Sequence, residues 1–248
     1  MTQYINKNNV GDTMDFAALS EAPFWTALLS IIVANILLSG DNAVVIAMAS
    51  RNLAPNQQKQ AIFWGSAAAI ILRVILTVTA VQLLTLPYLK IIGAILLVYI
   101  GVQLLADSGE EDELHGHSNI WAAIRTILVA DLVMSLDNVI AVAAAAQKGP
   151  EETRLILLIV GLGLSIPLII FGSTLLLKVM DRFPIIITVG AGLLGLLAGG
   201  MLVEDPAIKD SLQAAIADAH MVFEGLGIAI VILLGNYLKR KEVSKTAA

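Results

Sequence analysis

The stretch LLSGDNAVVIAMA, Leu37 to Ala49, decides how the chain is to be read. It lies inside a long apolar run, yet carries a serine, a glycine, an aspartate and an asparagine in succession. A carboxylate at mid-membrane costs on the order of 2.5–3.5 kcal/mol even on the lenient insertion scale. Such residues face the interior of a bundle and mark an ion or substrate path. A second stretch, VMSLDNVIAVAAA from Val133 to Ala145, repeats the pattern.

The surroundings are apolar along the chain. Of 248 residues, 58% are hydrophobic and 14% charged, and the mean hydropathy is +0.85. Soluble domains carry roughly a quarter charged residues, so this is an integral membrane protein. The net charge of −5, with no basic block, gives no footprint for nucleic acid. The absence of cysteine excludes disulfides, thiolate metal sites, iron–sulfur clusters and cysteine catalysis. The first apolar run begins near Phe24 and is as long as a full span. It therefore reads as a retained helix rather than a cleaved signal.

Seven apolar segments are long enough to cross a bilayer, near 24–49, 61–86, 88–106, 120–147, 153–178, 185–203 and 222–238. Their runs are continuous, not alternating, which favours helices over a barrel. Aligning Asp41 with Asp137 also aligns Ala34 with Ala130, Ser39 with Ser135, Asn42 with Asn138 and Gly65 with Gly161. Three helices thus resemble the next three. An odd number of crossings makes the second unit enter from the opposite side, which is an inverted repeat of the kind many secondary transporters use. The fold expected is all-α and polytopic: two inverted three-helix repeats plus one C-terminal helix. Its units are a flexible 1–23, repeats at 24–106 and 120–203, an acidic and histidine-bearing linker at 107–119, a loop at 204–221, a seventh helix at 222–238 and a basic tail at 239–248.

Polar residues within the spans are few. Asn35, Ser39 and Asn42 share one helical stripe, as do Asp131, Ser135 and Asn138, while Asp41 and Asp137 lie about 100° off it. Two helices crossing antiparallel at mid-membrane could bring these groups together, and SGD could unwind to add carbonyls. Leu136 in place of Gly40 makes unwinding less expected in the second copy. Carboxylate, amide and carbonyl oxygens suit Mg²⁺, Ca²⁺ or Mn²⁺. The bland reading is that the aspartates pair with Arg73 and Arg125, and both readings can hold if an arginine occupies the carboxylates once the ion has left.

SGDNAVVIAMA followed by DLVMSLDNVIAVAAA in a seven-helix frame resembles the TerC family of integral membrane proteins, from about Phe24 to Leu238. The resemblance implies a cation exporter of the LysE-like superfamily with Mn²⁺ as favoured substrate. It carries the acidic motif onto Asp41, Asn42, Asp131, Asp137 and Asn138. Asn35 stands where the second repeat has Asp131, which leaves the implied site asymmetric in charge.

The expectation is a secondary transporter exporting a divalent cation through Asp41, Asn42, Asp131, Asp137, Asn138 and Asn35, coupled to protons. No ATP site is visible, which is why an ion gradient is expected to drive it; no nucleophile–base pair, P-loop or soluble catalytic domain is visible either, so no enzyme activity and no tightly bound cofactor are expected, and the partners are the lipid bilayer and the cation. Arg73, Arg125 and Glu224 are candidates for gating or charge balance. Glu224 also reads as a favourable charge at a helix N-terminus. His115 and His117, in EEDELHGH, read as a solvated loop or a metal-gathering one. Rival readings are an exporter of small organic solutes, for which 5% aromatic residues is poor material, and a metal-sensing scaffold. The expected location is the plasma membrane, where lysine and arginine bias puts the N-terminus outside and the LKRKEVSK tail in the cytoplasm.

Overall fold

The computed structural model describes residues 22–83, 86–107 and 119–246, apart from the side chains of 79–83, 137, 242, 243, 245 and 246. Every regular element among the described residues is a helix: α1 (Ala22–Leu37), α2 (Gly40–Ser50), α3 (Pro55–Leu83), α4 (Leu89–Ala106), α5 (Ile120–Ala146), a 3₁₀ turn (Glu151–Thr153), α6 (Arg154–Gly163), α7 (Ile166–Arg182), α8 (Ile185–Val203), α9 (Lys209–Ala215) and α10 (Ala219–Thr246). Five spans are long and apolar enough to cross a membrane, with α6 and α7 counted as one, and seven result when α1–α2 and the two halves of bent α5 each count as one crossing. The chain is therefore a polytopic all-α membrane protein.

Both motifs lie at bends. α1 and α2 meet at 50°. The break falls at Leu38 and Ser39, one residue before Gly40, and the Ser39 carbonyl then accepts from Ala43 N at 3.0 Å to open α2. A methyl on Gly40 would meet nothing within 4 Å, so space does not explain its glycine. Weakening the helix does. The second motif bends more without a break: Ile120–Leu136 and Asn138–Ala146 make 64°. The helix stays wound there, as expected with Leu136 in place of Gly40, but it bends all the same. A third interruption, at Leu164 and Ser165, divides α6 from α7, with Pro167 in the first turn of α7. There its missing N–H costs no helical bond.

α3 packs along α5, while α1 packs on α6 and α2 on α7. Two glycines set these contacts. A Cβ on Gly65 would strike Ile127 Cδ1 at 2.8 Å, and one on Gly161 would strike Ile31 Cγ2 at 2.6 Å. The offset that relates Gly65 to Gly161 also relates Ile31 to Ile127, so the two contacts are reciprocal. α4 packs on α8, and α10 lies across both. Along α8 and α10 the backbones touch: a methyl on Gly195 or Gly227 would overlap the other's carbonyl, and one on Gly199 would overlap that of Phe223. Small residues permit this approach between helices in lipid, where packing rather than water exclusion drives association.

Candidate functional site

The polar residues of the two motifs separate into two neighbouring compartments. The first is dry and centres on Arg73 of α3, which is 1% exposed. Its Nη2 donates to Asp131 Oδ1 at 2.5 Å, its Nη1 to Asn35 Oδ1 at 2.6 Å and Ser39 Oγ at 3.5 Å, and its Nε to Ser135 Oγ at 3.1 Å. Ser135 Oγ donates in turn to Asp131 Oδ2 at 3.2 Å, and Ser39 Oγ to Asn35 Oδ1 at 3.3 Å. These acceptors form two offset pairs, Asn35 with Asp131 and Ser39 with Ser135. The position matching Arg73 is Ile169, so the two halves share one guanidinium. One carboxylate faces it, and an amide takes the other acid's place. A second carboxylate there would leave a net buried charge.

The second compartment is a cavity of about 200 Å³ lined by Asp41, Asn138, Met134, Met201 and, nearer the surface, Glu204, His220 and Glu224. Asp41 Oδ1 accepts from Asn42 N at 2.8 Å, in the first turn of α2. The amides of Asn42 and Asn138 both donate to the Leu38 carbonyl, at 3.2 and 3.3 Å. That carbonyl is freed by the break between α1 and α2, so the bend supplies an acceptor that pins both motifs to each other. Asn42 Oδ1 is buried and has no hydrogen-bond partner. At the cavity mouth His220 Nδ1 lies 3.8 Å from Glu224 Oε1, and Lys90 Nζ donates to Glu204 Oε2 at 2.8 Å. That hydrogen bond holds the Glu204 carboxyl below its usual range. Between these surface groups and Asp41 with Asn138 the cavity wall is mostly apolar, formed by Leu97, Leu196, Leu197 and the two methionines.

The expected site residues that the structure describes thus have places. Asn35 and Asp131 hold Arg73. Asp41 and Asn138 line the cavity, and Asn42 adjoins them through Leu38. The Asp137 side chain, like His115 and His117, lies outside the described residues. Glu224 sits in the second turn of α10 on the cavity wall, not at the helix end. Arg125 is exposed in a different groove and pairs with no aspartate among the described residues. The expected balance of two arginines against the acids therefore reduces to Arg73 and Asp131. Among the described residues no three His, Asp or Glu side chains converge as a metal cluster.

Sequence reading missed Glu204, His220 and Met201, which the loop between α8 and α10 and the end of α8 bring to the cavity. It also missed Asp205, fully buried at the end of α8. Its Oδ1 accepts from Tyr88 N at 3.0 Å and Ala207 N at 2.8 Å, and its Oδ2 from Lys90 N at 3.1 Å and Ile91 N at 3.2 Å. These bonds cap α4 and hold Tyr88 in the left-handed region at φ 67°. Burial pushes the Asp205 carboxyl up, but the four amide donors outweigh it and hold it below its usual range. The sequence signal was an aspartate immediately past an apolar run, which resembles any loop residue.

A helical bundle that buries an arginine among motif side chains and opens a cavity bearing carboxylates to one face defines a polytopic membrane protein with polar groups at its centre. The chain belongs to the integral membrane protein TerC family, whose profile matches residues 20–243. It is 40% identical over 222 residues to the uncharacterized membrane protein YjbE of Bacillus subtilis, covering 90% of this chain and 99% of that protein. It is 25% identical over 190 residues to the uncharacterized membrane protein YceF of the same organism, covering 73% and 72%. It is 22% identical over 246 residues to the UPF0053 inner membrane protein YoaE of Escherichia coli K12, covering 90% of this chain but 44% of YoaE. No solved structure matches.

Proposed function

We propose that this protein is a secondary transporter that exports a divalent cation, Mn²⁺ foremost, from the cytoplasm in exchange for protons. The observation that carries the reading is the cavity ending at Asp41 and Asn138, beside the broken span. Asp41 supplies charge there, and the amide oxygens of Asn138 and Asn42 supply neutral ligands of the kind Mn²⁺ accepts. Asp137 would join them as a second carboxylate. Arg73 holds Asp131, Asn35, Ser39 and Ser135 while the cation is elsewhere and is the internal counter-charge that the ion displaces on its way through.

Orientation supports export. With each bent pair as one crossing, six crossings separate the start of α1 from the end of α8, so both lie on one side. The cavity opens at that end of α8. Under the lysine and arginine bias that side is the exterior, in a plasma membrane with the C-terminal tail in the cytoplasm. The cavity is then the release path. Reciprocal packing of Gly65 on Ile127 and Gly161 on Ile31 supports an inverted repeat, since such repeats swap their contacts.

The test is metal flux. Inside-out vesicles bearing the wild-type protein should accumulate Mn²⁺ when a proton gradient is imposed, and vesicles bearing Asp41→Asn should not. Absence of cation flux in the wild type, with Mn²⁺ still bound, would leave a sensor or scaffold instead.

A further inference from the structure

The bundle holds a second arginine within a span, and nothing in the described fold neutralises it. Arg125 lies on α5 just over one turn past Ile120. Arg73 at depth has a carboxylate, two hydroxyls and an amide. Arg125 has no ion pair and no hydrogen bond among the described residues. It is exposed and faces a groove of about 470 Å³ between α4 and α5.

The groove has a graded chemistry. Gln103, Asn119 and Thr126 contribute polar groups beside Arg125, and Tyr99 and Trp121 flank them. These rings are 61% and 73% exposed, so they stand in whatever surrounds the bundle. Tyrosine and tryptophan occupy the headgroup level of a bilayer. At 1.5 Å per residue, Arg125 lies roughly 7–8 Å along the helix from its start, about where headgroups give way to hydrocarbon. Deeper in, the lining turns apolar through Leu96 and Val129. A cation at the phosphate level with an apolar trough beneath matches an amphiphilic anion with acyl chains.

We propose that the groove between α4 and α5 binds the phosphodiester of an anionic phospholipid, with the Arg125 guanidinium as its counter-charge. The planar guanidinium fits two phosphate oxygens in a fork. The Gln103 amide and the Thr126 hydroxyl meet the remaining headgroup oxygens, and an acyl chain runs over Leu96 and Val129 between the two helices. The site is independent of the Asp41 cavity, which opens at the opposite end of α5. Bound lipid would tie α4 to α5, and so the third span to the bent helix that carries Asp131 and Asn138.

Native mass spectrometry of the purified full chain, equilibrated with equal phosphatidylglycerol and phosphatidylcholine, tests the site. The wild type should retain phosphatidylglycerol preferentially, and Arg125→Gln should lose that preference by about tenfold, the scale of one charge-assisted phosphate contact. Equal retention by Arg125→Gln overturns the proposal. If that variant does not fold, a photoreactive phosphatidylglycerol applied to the wild type decides. Adducts should fall within 96–103 and 121–129 and be competed by phosphatidylglycerol; adducts confined to other segments overturn the site. Inorganic phosphate competing as well as the lipid would assign the groove to a free anion and overturn it too. A second variant replaces Glu110, Glu111, Asp112 and Glu113 with their amides. Lipid retention should not change; a rise would mean that those carboxylates hold Arg125, which also overturns the proposal.

Discussion

Asp131 and Asp41 come from the two copies of one repeated pattern, at positions that do not match, and have opposite surroundings. Asp131 is buried, and both its oxygens are engaged, one by Arg73 and one by Ser135. Asp41 borders a cavity, and its Oδ1 accepts from a backbone N–H, that of Asn42, with no arginine on it among the described residues. A carboxylate with a fixed cationic partner is a structural element until that partner moves. A carboxylate on a cavity wall keeps lone pairs for a mobile ion. The difference between them is a division of labour between holding the bundle and meeting the substrate, and it can be attacked from either side.

The largest effect is expected at Arg73. Arg73→Gln leaves the Asp131 carboxylate buried without its counter-charge, a change of the kind that costs about 3–5 kcal/mol. The protein should unfold at lower denaturant in detergent and accumulate poorly. Adding Asp131→Asn removes the stranded charge and should restore most of the stability. A single Arg73→Gln variant as stable as wild type would break the comparison, because Asp131 would then have another partner.

Asp41→Asn should behave in the opposite way. The amide oxygen still accepts from Asn42 N, so thermal unfolding should be unchanged, while Mn²⁺ accumulation in vesicles falls to background. A fall in stability comparable to that of Arg73→Gln would make Asp41 a second structural acid. Transport at the wild-type rate would remove it from the path.

How far the sequence carried this contrast depends on distance along the chain. The helices were legible because each needs only a local apolar run. For the fourth and sixth spans, the segments near 120–147 and 185–203 fall almost on α5 and α8. The bend at Ser39 was legible from Gly40. The bend at Asp137 was not, since Leu136 gives no local reason for it. Helical stripes correctly grouped Asn35 with Ser39 and Asp131 with Ser135, because those pairs lie one turn apart. Arg73 and Arg125 were both named as partners for the aspartates, but which of the two serves was not legible. Arg73 and Arg125 look alike in sequence, each an arginine in an apolar run, and only packing of α3 on α5 brings Arg73 to Asp131. Of the two readings of Glu224, gating carboxylate and end-of-helix charge, the second depends on a helix start near 222, three residues past the observed Ala219.

Packing of the seventh span extends the contrast away from charge. Gly227 faces Gly195 across a backbone contact with no room for a methyl. Gly227→Ala should destabilise the protein by about 1–3 kcal/mol, the usual range for overpacking. Gly225→Ala, where a Cβ meets nothing within 4 Å, should be neutral. Unfolding in mixed micelles separates the two. If they behave alike, α10 is held to α8 by something other than close approach, and its service to the cavity through Glu224 needs another support.

The smallest effect concerns a third use of aspartate. Asp205 is neither paired with a cation nor open to one; it is held by four backbone N–H groups at the membrane end of α4 and α8. Its carboxyl titrates below the usual range when folded, against about 3.9 in an unfolded chain. The sign follows from proton binding. Near and just below the unfolded value, the unfolded chain takes up the proton and the folded one does not, so acid favours unfolding. The contribution of Asp205 is therefore complete at pH values well above about 3.9 and is lost as pH falls through the lower folded value. Asp205→Asn keeps one acceptor, but turns an amide toward the Lys90 and Ile91 N–H groups. It should be less stable than wild type at neutral pH, and the gap should narrow on acidification below about 3.9. The Gly195–Gly227 contact carries no ionisable group, so it does not reproduce this narrowing. A gap between wild type and Asp205→Asn that stays constant with pH would mean that the amide donors do not favour the ionised carboxylate, and that Asp205 fastens the end of α4 by shape alone.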